Sequence, residues 1–89
     1  MKIQNDGKQF YIGEKEDPKA LLAYEYIDDH TVRAYHTVTS KEMQGQGIAG
    51  KLYKEFMDLV KKEDLKVQAD CSYVRKKMEE NEEDKGYMV

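Results

Sequence analysis

Cysteine occurs once in this chain, as Cys71, and proline once, as Pro18. A lone cysteine excludes an intramolecular disulfide and leaves no thiolate set for zinc, so no metal site is expected. Long hydrophobic runs are missing as well. No window approaches the ~18 apolar residues that cross a bilayer. The opening residues MKIQNDGKQF hold no apolar stretch of the kind a secretory leader needs. Basic charge is not in excess: 15 Lys and Arg stand against 18 Asp and Glu, a formal net charge of −3. That excludes a basic field able to hold nucleic acid and a polybasic helix able to lie on a membrane. These absences point to a soluble cytoplasmic domain without nucleic-acid or membrane partners, a monomer or weak dimer.

What is present is a single domain's worth of chain, residues 1–89, with enough apolar residues for one modest core. Seven tyrosines, two phenylalanines and periodic apolar stretches argue for order. The acidic end, NEEDKGYMV, is the exception; it is expected to fray from about residue 82, although Tyr87 and Met88 are able to pack back.

Residues 9–13 place Phe10 and Ile12 on one face of a short strand. Lys15 to Pro18 reads as a turn. Ala20 to Ile27 has residues that also favour helix, yet Asp28-Asp29 reads as a hairpin turn into Thr31–Val38, which makes both segments strands. In the second of these, strict alternation puts Val32, Ala34, His36 and Val38 on one face, and Thr31, Arg33, Tyr35 and Thr37 on the other. From Ile48 to about Lys62, apolar residues recur with helical spacing, and Lys51/Glu55 and Lys54/Asp58 are spaced for i,i+4 pairing. Leu65, Val67 and Ala69 alternate as a further strand. Cys71-Ser72 then opens a short helix, roughly Tyr73 to Glu80. The expected fold is α/β (α+β): a mixed, mostly antiparallel sheet, a central helix after a glycine-rich turn, and a short C-terminal helix.

That turn, Gln44-Gly45-Gln46-Gly47-Ile48-Ala49-Gly50, holds three glycines in six residues and runs straight into the helix. Glycine allows positive φ and lets main-chain amides approach a ligand. A helix start offers unpaired N–H groups and the positive end of the dipole, a combination suited to phosphate. The bland reading is a tight strand-to-helix connection. A nucleotide-hydrolase loop is nearly matched from Gly45 to Leu52, but the last position needs a hydroxyl for Mg²⁺ and carries Leu52 instead. Gly45-x-Gly47-x-x-Gly50 fits the dinucleotide spacing by letter, without the paired halves that fold requires.

A third reading has support beyond the loop. The order Gln44-x-x-Gly47-x-Ala49 resembles the acyl-CoA pyrophosphate loop of the GNAT superfamily of N-acetyltransferases. His36-Thr37-Val38 before it and Cys71-Ser72-Tyr73-Val74 after the next strand resemble elements of the small, minimal branch of that superfamily. The resemblance runs from about residue 8 to 83. Between Val38 and Gln44 this chain has Thr-Ser-Lys-Glu-Met, where the branch usually carries an acidic residue and proline.

The resemblance implies an acetyl-CoA site made mostly of main chain. Amides of Gly45, Gln46, Gly47, Ile48, Ala49 and Gly50 would hold the pyrophosphate, with Gln44 and Gln46 as side-chain donors. Val38 would meet the pantetheine, and Tyr73 would lie against the cofactor. It implies acetyl transfer to a primary amine, protein or peptide lysine among the candidates; the alternative is a non-catalytic acyl-CoA-binding module. Cys71 would sit near the acetyl group, where a thiolate favoured by a helix start is able to act as nucleophile. The bland reading of Cys71 is a small buried hydrophobe. His36 is the candidate base, for the ammonium or the thiol, against the plain reading of a core histidine. Whether the amine attacks acetyl-CoA directly or Cys71 carries the acetyl group first stays open.

Overall fold

The computed structural model describes residues 2–89. In chain order it contains β1 (Gln4–Asn5), β2 (Gln9–Glu14), β3 (Asp17–Asp28), β4 (Thr31–Thr39), a single 3₁₀ turn (Lys41–Met43), α1 (Ile48–Glu63), β5 (Lys66–Ala69), α2 (Ser72–Glu79) and α3 (Glu82–Lys85). The strands form one sheet in the order β1-β2-β3-β4-β5. Pairing is antiparallel up to β4, and the β4–β5 pair is parallel, as a crossover through α1 requires. The mixed, mostly antiparallel sheet with a central helix after the glycine turn is therefore observed as expected.

One face of the sheet carries the core. Phe10 and Ile12 pair with Leu22 and Ala20, and all four side chains are buried. Against them α1 lays Ile48, Leu52, Phe56 and Val60, each at most 2% exposed. Met78 and Val74 of α2 join the same cluster, so the helices line one face. Complete burial of side chains this large stabilises by ~1.5–3 kcal/mol each, and this stripe holds the start of α1 at the sheet.

Four local features depart from the sequence reading. The tight turns sit one residue later at β3–β4, where Asp29-His30 forms the loop and Asp28 accepts the His30 amide at 2.8 Å. Pro18 lies within β3 opposite Gly13, next to a bulge, rather than in the turn. The pairs Lys51/Glu55 and Lys54/Asp58 are absent from the ion pairs among the described residues, which are made elsewhere. Holding two long, exposed side chains together gains little over water.

The fourth is the chain end, expected to fray. Asn81 caps α3 by accepting the Asp84 amide at 3.1 Å. Asp84 itself is only 4% exposed. Its carboxylate accepts the Tyr53 hydroxyl at 2.6 Å and meets the Lys61 ammonium at 2.9 Å. Met88 then bridges Val67 of β5 in parallel. A buried carboxylate with two partners and main-chain pairing beyond it fix residues 82–89 to the body.

Candidate functional site

The site begins with a break in the alternation of β4. Tyr24 of β3 pairs with Ala34, but its neighbour Ala23 pairs with His36, which leaves Tyr35 as the extra residue of a β-bulge. A one-residue insertion moves every later side chain to the other face. Val32 and Ala34 are fully buried, whereas His36 and Val38 are exposed and Thr37 and Thr39 turn inward, opposite Leu22 and Ala20. The single face expected for Val32, Ala34, His36 and Val38 is thus corrected: it holds only as far as Ala34.

The same point is where β5 leaves. Pairing of β4 with β5 ends at Ala34↔Ala69. The Ala34 carbonyl accepts both the Asp70 and Cys71 amides, at 2.9 and 3.0 Å, and the chain turns away into α2. Residues 35–39 of β4 keep only β3 as a partner. The two strands therefore diverge, with Thr37 on one side and Cys71 on the other. Cys71 Sγ lies 3.2 Å from Thr37 Oγ1. Arg75 steadies the turn by donating two guanidinium N–H groups to the Ala69 carbonyl, at 3.1 and 3.2 Å.

The glycine turn closes the other end. Gly45 and Gly47 adopt φ of +82° and +71°, the left-handed region that favours glycine, and Gly47 is the N-cap of α1. No side chain caps this helix, and its first turn carries no acidic residue. The first main-chain bond back into the helix is from Lys51 to Gly47. Residues 44–47 form a turn, and among the described residues no short, well-aligned hydrogen bond leaves the amides of Gly45, Gln46, Gly47, Ile48, Ala49 or Gly50. A Cβ placed on Gly45 or Gly47 would meet nothing within 4 Å, so it is the backbone conformation rather than crowding that calls for glycine there. A glycine turn that leads into the positive end of a helix, where the first amides have no intrahelical acceptor, has the form of an anion site of the kind a pyrophosphate fits.

Gln44 and Gln46 are used differently from the expectation. Their side-chain amides donate to the Thr39 and Glu42 carbonyls, at 3.3 and 3.1 Å. They brace the loop from within. Tyr73 links the two ends of the site, since a Cβ on Gly50 would stand 3.8 Å from its hydroxyl oxygen. Burial first, and then the charge of Glu80, raise the Tyr73 phenol above its ordinary value, so it stays protonated at neutral pH.

Cys71 thus meets Thr37 at the divergent end of the sheet and Tyr73 approaches Gly50, while Val38 stands exposed on the other face of β4. Among the described residues His36 makes no hydrogen bond to Cys71; Thr37 holds that place. Sequence reasoning missed Thr37 and Arg75. Thr37 was hidden by the bulge, while an arginine one helical turn after the Cys-Ser start is a visible hint of a side chain reaching back.

A family model described as GCN5-related N-acetyl-transferase matches residues 9–87. Protein NATD1 from Xenopus tropicalis is 43% identical over 63 residues, covering 71% of this chain and 58% of that protein. The human NATD1 is 40% identical over the same number of residues, covering 71% of this chain and 56% of its own. The chain therefore spans less than two thirds of the curated relatives it matches. The solution structure of a GCN5-like protein from Staphylococcus aureus superposes with a TM-score of 0.80 at 27% identity, covering 99% of this chain and 87% of that one. A GNAT family acetyltransferase from Elizabethkingia anophelis, crystallised with acetyl-CoA bound, shares the fold at a TM-score of 0.55 and 18% identity, over 68% of this chain and 40% of the other. By the match over nearly its whole length, the chain belongs to the GCN5-related N-acetyltransferase family, whose enzymes use acetyl-CoA.

Proposed function

We propose that this chain binds acetyl-CoA between the divergent end of β4 and the Gly45–Gly50 turn and transfers its acetyl group to a primary amine. A lysine side chain of a protein or peptide is the acceptor class we favour. One observation carries the reading: a turn with Gly45 and Gly47 at positive φ leads into the uncapped start of α1, and its amides make no short, well-aligned hydrogen bond among the described residues. The loop amides are assigned to the pyrophosphate and the unpaired side of residues 35–39, Val38 included, to the pantetheine.

Bound acetyl-CoA supplies an activated thioester. The chain's part is to orient it, shield it and manage protons. Cys71 is assigned to the acyl end, with Thr37 fixing the sulfur's direction through their 3.2 Å contact. Tyr73, protonated and 3.8 Å from the Cβ position of Gly50, is assigned to hold a proton at its hydroxyl for the departing sulfur. His36 is assigned to take the proton of the incoming ammonium rather than that of the thiol, because it is exposed and makes no hydrogen bond to Cys71 among the described residues. An open acceptor side is favoured by the sheet face that no helix covers, where Tyr35 and Val38 are 42% and 41% exposed.

The test is acceptor-dependent loss of acetyl-CoA across a panel of amines and lysine-containing peptides. Turnover with at least one acceptor is expected. Tight coenzyme binding with no turnover on any acceptor replaces the enzyme with a non-catalytic acyl-CoA-binding module.

A further inference from the structure

A groove of about 420 Å³ lies at the far end of α1 from the glycine turn. Leu59, on its helical wall, is nine residues past Gly50, about 14 Å along the helix at 1.5 Å per residue. The floor is aromatic. Phe10 and Tyr24 stack with ring centroids 5.5 Å apart, and Tyr26 meets Tyr24 edge-on at 6.3 Å. The floor rings are buried, while Tyr26 stands 46% exposed at the rim. Asn5 donates to the Tyr24 hydroxyl at 3.0 Å, closing the end beneath the β1–β2 loop.

The rim is acidic. Glu55, Asp58 and Glu63 line it with a single cation, Lys62. None of the three carboxylates enters an ion pair among the described residues. Glu63 accepts the Tyr26 hydroxyl at 3.3 Å, which sets a carboxylate beside an exposed ring. Burial and then the Glu63 charge both raise the Tyr26 phenol, in keeping with a negative field there.

Aromatic faces attract cations, and a flanking carboxylate adds charge pairing. A chain of net charge −3 is a poor self-partner for such a surface. The opening suits a side chain carried by a larger molecule, because every rim residue from α1 named here is exposed. We propose that this groove is an accessory docking site for a basic peptide segment, which inserts a lysine side chain over Tyr26 with its ammonium at Glu63 and Asp58. The site is separate from the acetyl-transfer centre and does not rest on that assignment.

The experiment is an amide NMR titration of the full chain, without coenzyme, using a short lysine-rich peptide, its glutamate-for-lysine counterpart, and n-butylamine. The lysine peptide should shift Gly7, Tyr26, Leu59 and Glu63 saturably, and less so in high salt. The double variant D58N/E63Q should bind about three- to tenfold more weakly. Y26A should bind more weakly, and Y26F, which keeps the ring, should bind nearly as well. All these positions are exposed, so a dispersed spectrum verifies folding in each variant. Four outcomes overturn the proposal: no shift at the groove, equal shifts with the glutamate peptide, n-butylamine binding as tightly as the peptide, or groove shifts that follow protein concentration alone. None of them touches acetyl transfer, which is measured separately.

Discussion

Cys71 is the residue the proposal assigns to the acyl end, and its surroundings state what its removal should do. Its amide is tied to the Ala34 carbonyl and its sulfur to Thr37, so C71A removes one partly buried sulfur and leaves the turn intact. Loss of activity by tenfold or more with unchanged coenzyme affinity would put the thiol in the reaction; unchanged rates would leave it as packing. Tyr53 offers a stability test. Its hydroxyl donates to the buried Asp84, and Y53F leaves that carboxylate oxygen without a donor. Removing one partner of such a buried group costs ~1–3 kcal/mol. Urea unfolding should read a loss in that range, and equal stability would show that the C-terminal latch is dispensable. The latch was partly legible: Asn81 followed by Glu82, Glu83 and Asp84 has the form of a helix start. What the sequence cannot show is that one acid of this run finds Lys61 and Tyr53 inside, since those partners come from α1, more than 20 positions earlier.

At the level of elements, β4 and the glycine turn do the positioning. The helix α1, its apolar stripe and the glycine entry were legible because period and composition carry them locally. The bulge at Tyr35 was not. The run from Thr31 to Val38 alternates well enough to read as one regular strand, and the inserted residue appears only when β3 sets the register. It is the feature that swaps His36 for Thr37 beside Cys71. Gly47 at φ +71° makes the loop testable. A residue with a Cβ in that conformation costs ~1–2 kcal/mol, less for Asn. G47V should therefore destabilise more than G47N in urea, and the order would reverse if shape rather than backbone conformation decided.

The turn before Cys71 adds a pH test at the same scale. Hydrogen bonds from Arg33 and then Gln68 hold Asp70 below the ordinary carboxylate value of 3.8. A folded value lower than the unfolded one gives stability that is present above pH 3.8 and is lost as pH falls through the folded value. The melting temperature of D70N should fall below that of the unaltered chain at neutral pH, and the two should converge in acid. A gap that persists in acid would assign the effect to packing rather than charge.

For the whole molecule, the arrangement of one sheet with its helices on a single face leaves two distant surfaces with unused polar groups. One is the splayed end of β4 with the glycine turn, and the other is the aromatic groove at the far end of α1. Fold and family were readable from three short segments in the right order, because main-chain donors at a glycine turn leave a signature that side-chain sites do not. The groove had no such signature: Phe10, Tyr24, Tyr26 and Glu63 come from three elements and meet only through the sheet. Among the described residues no helix is long and apolar enough to cross a membrane. Ligand binding to the folded state must raise its melting temperature, so acetyl-CoA should stabilise the chain and a lysine peptide should add a separate, salt-sensitive increment.

The most direct measurement of the central claim is an amide NMR titration with acetyl-CoA. The account predicts large, saturable shifts at Gly45 to Gly50, with smaller ones at Val38, Cys71 and Tyr73. Amides at Gly45–Gly50 that stay in place while the chain is saturated with coenzyme, or the absence of any binding, would contradict it.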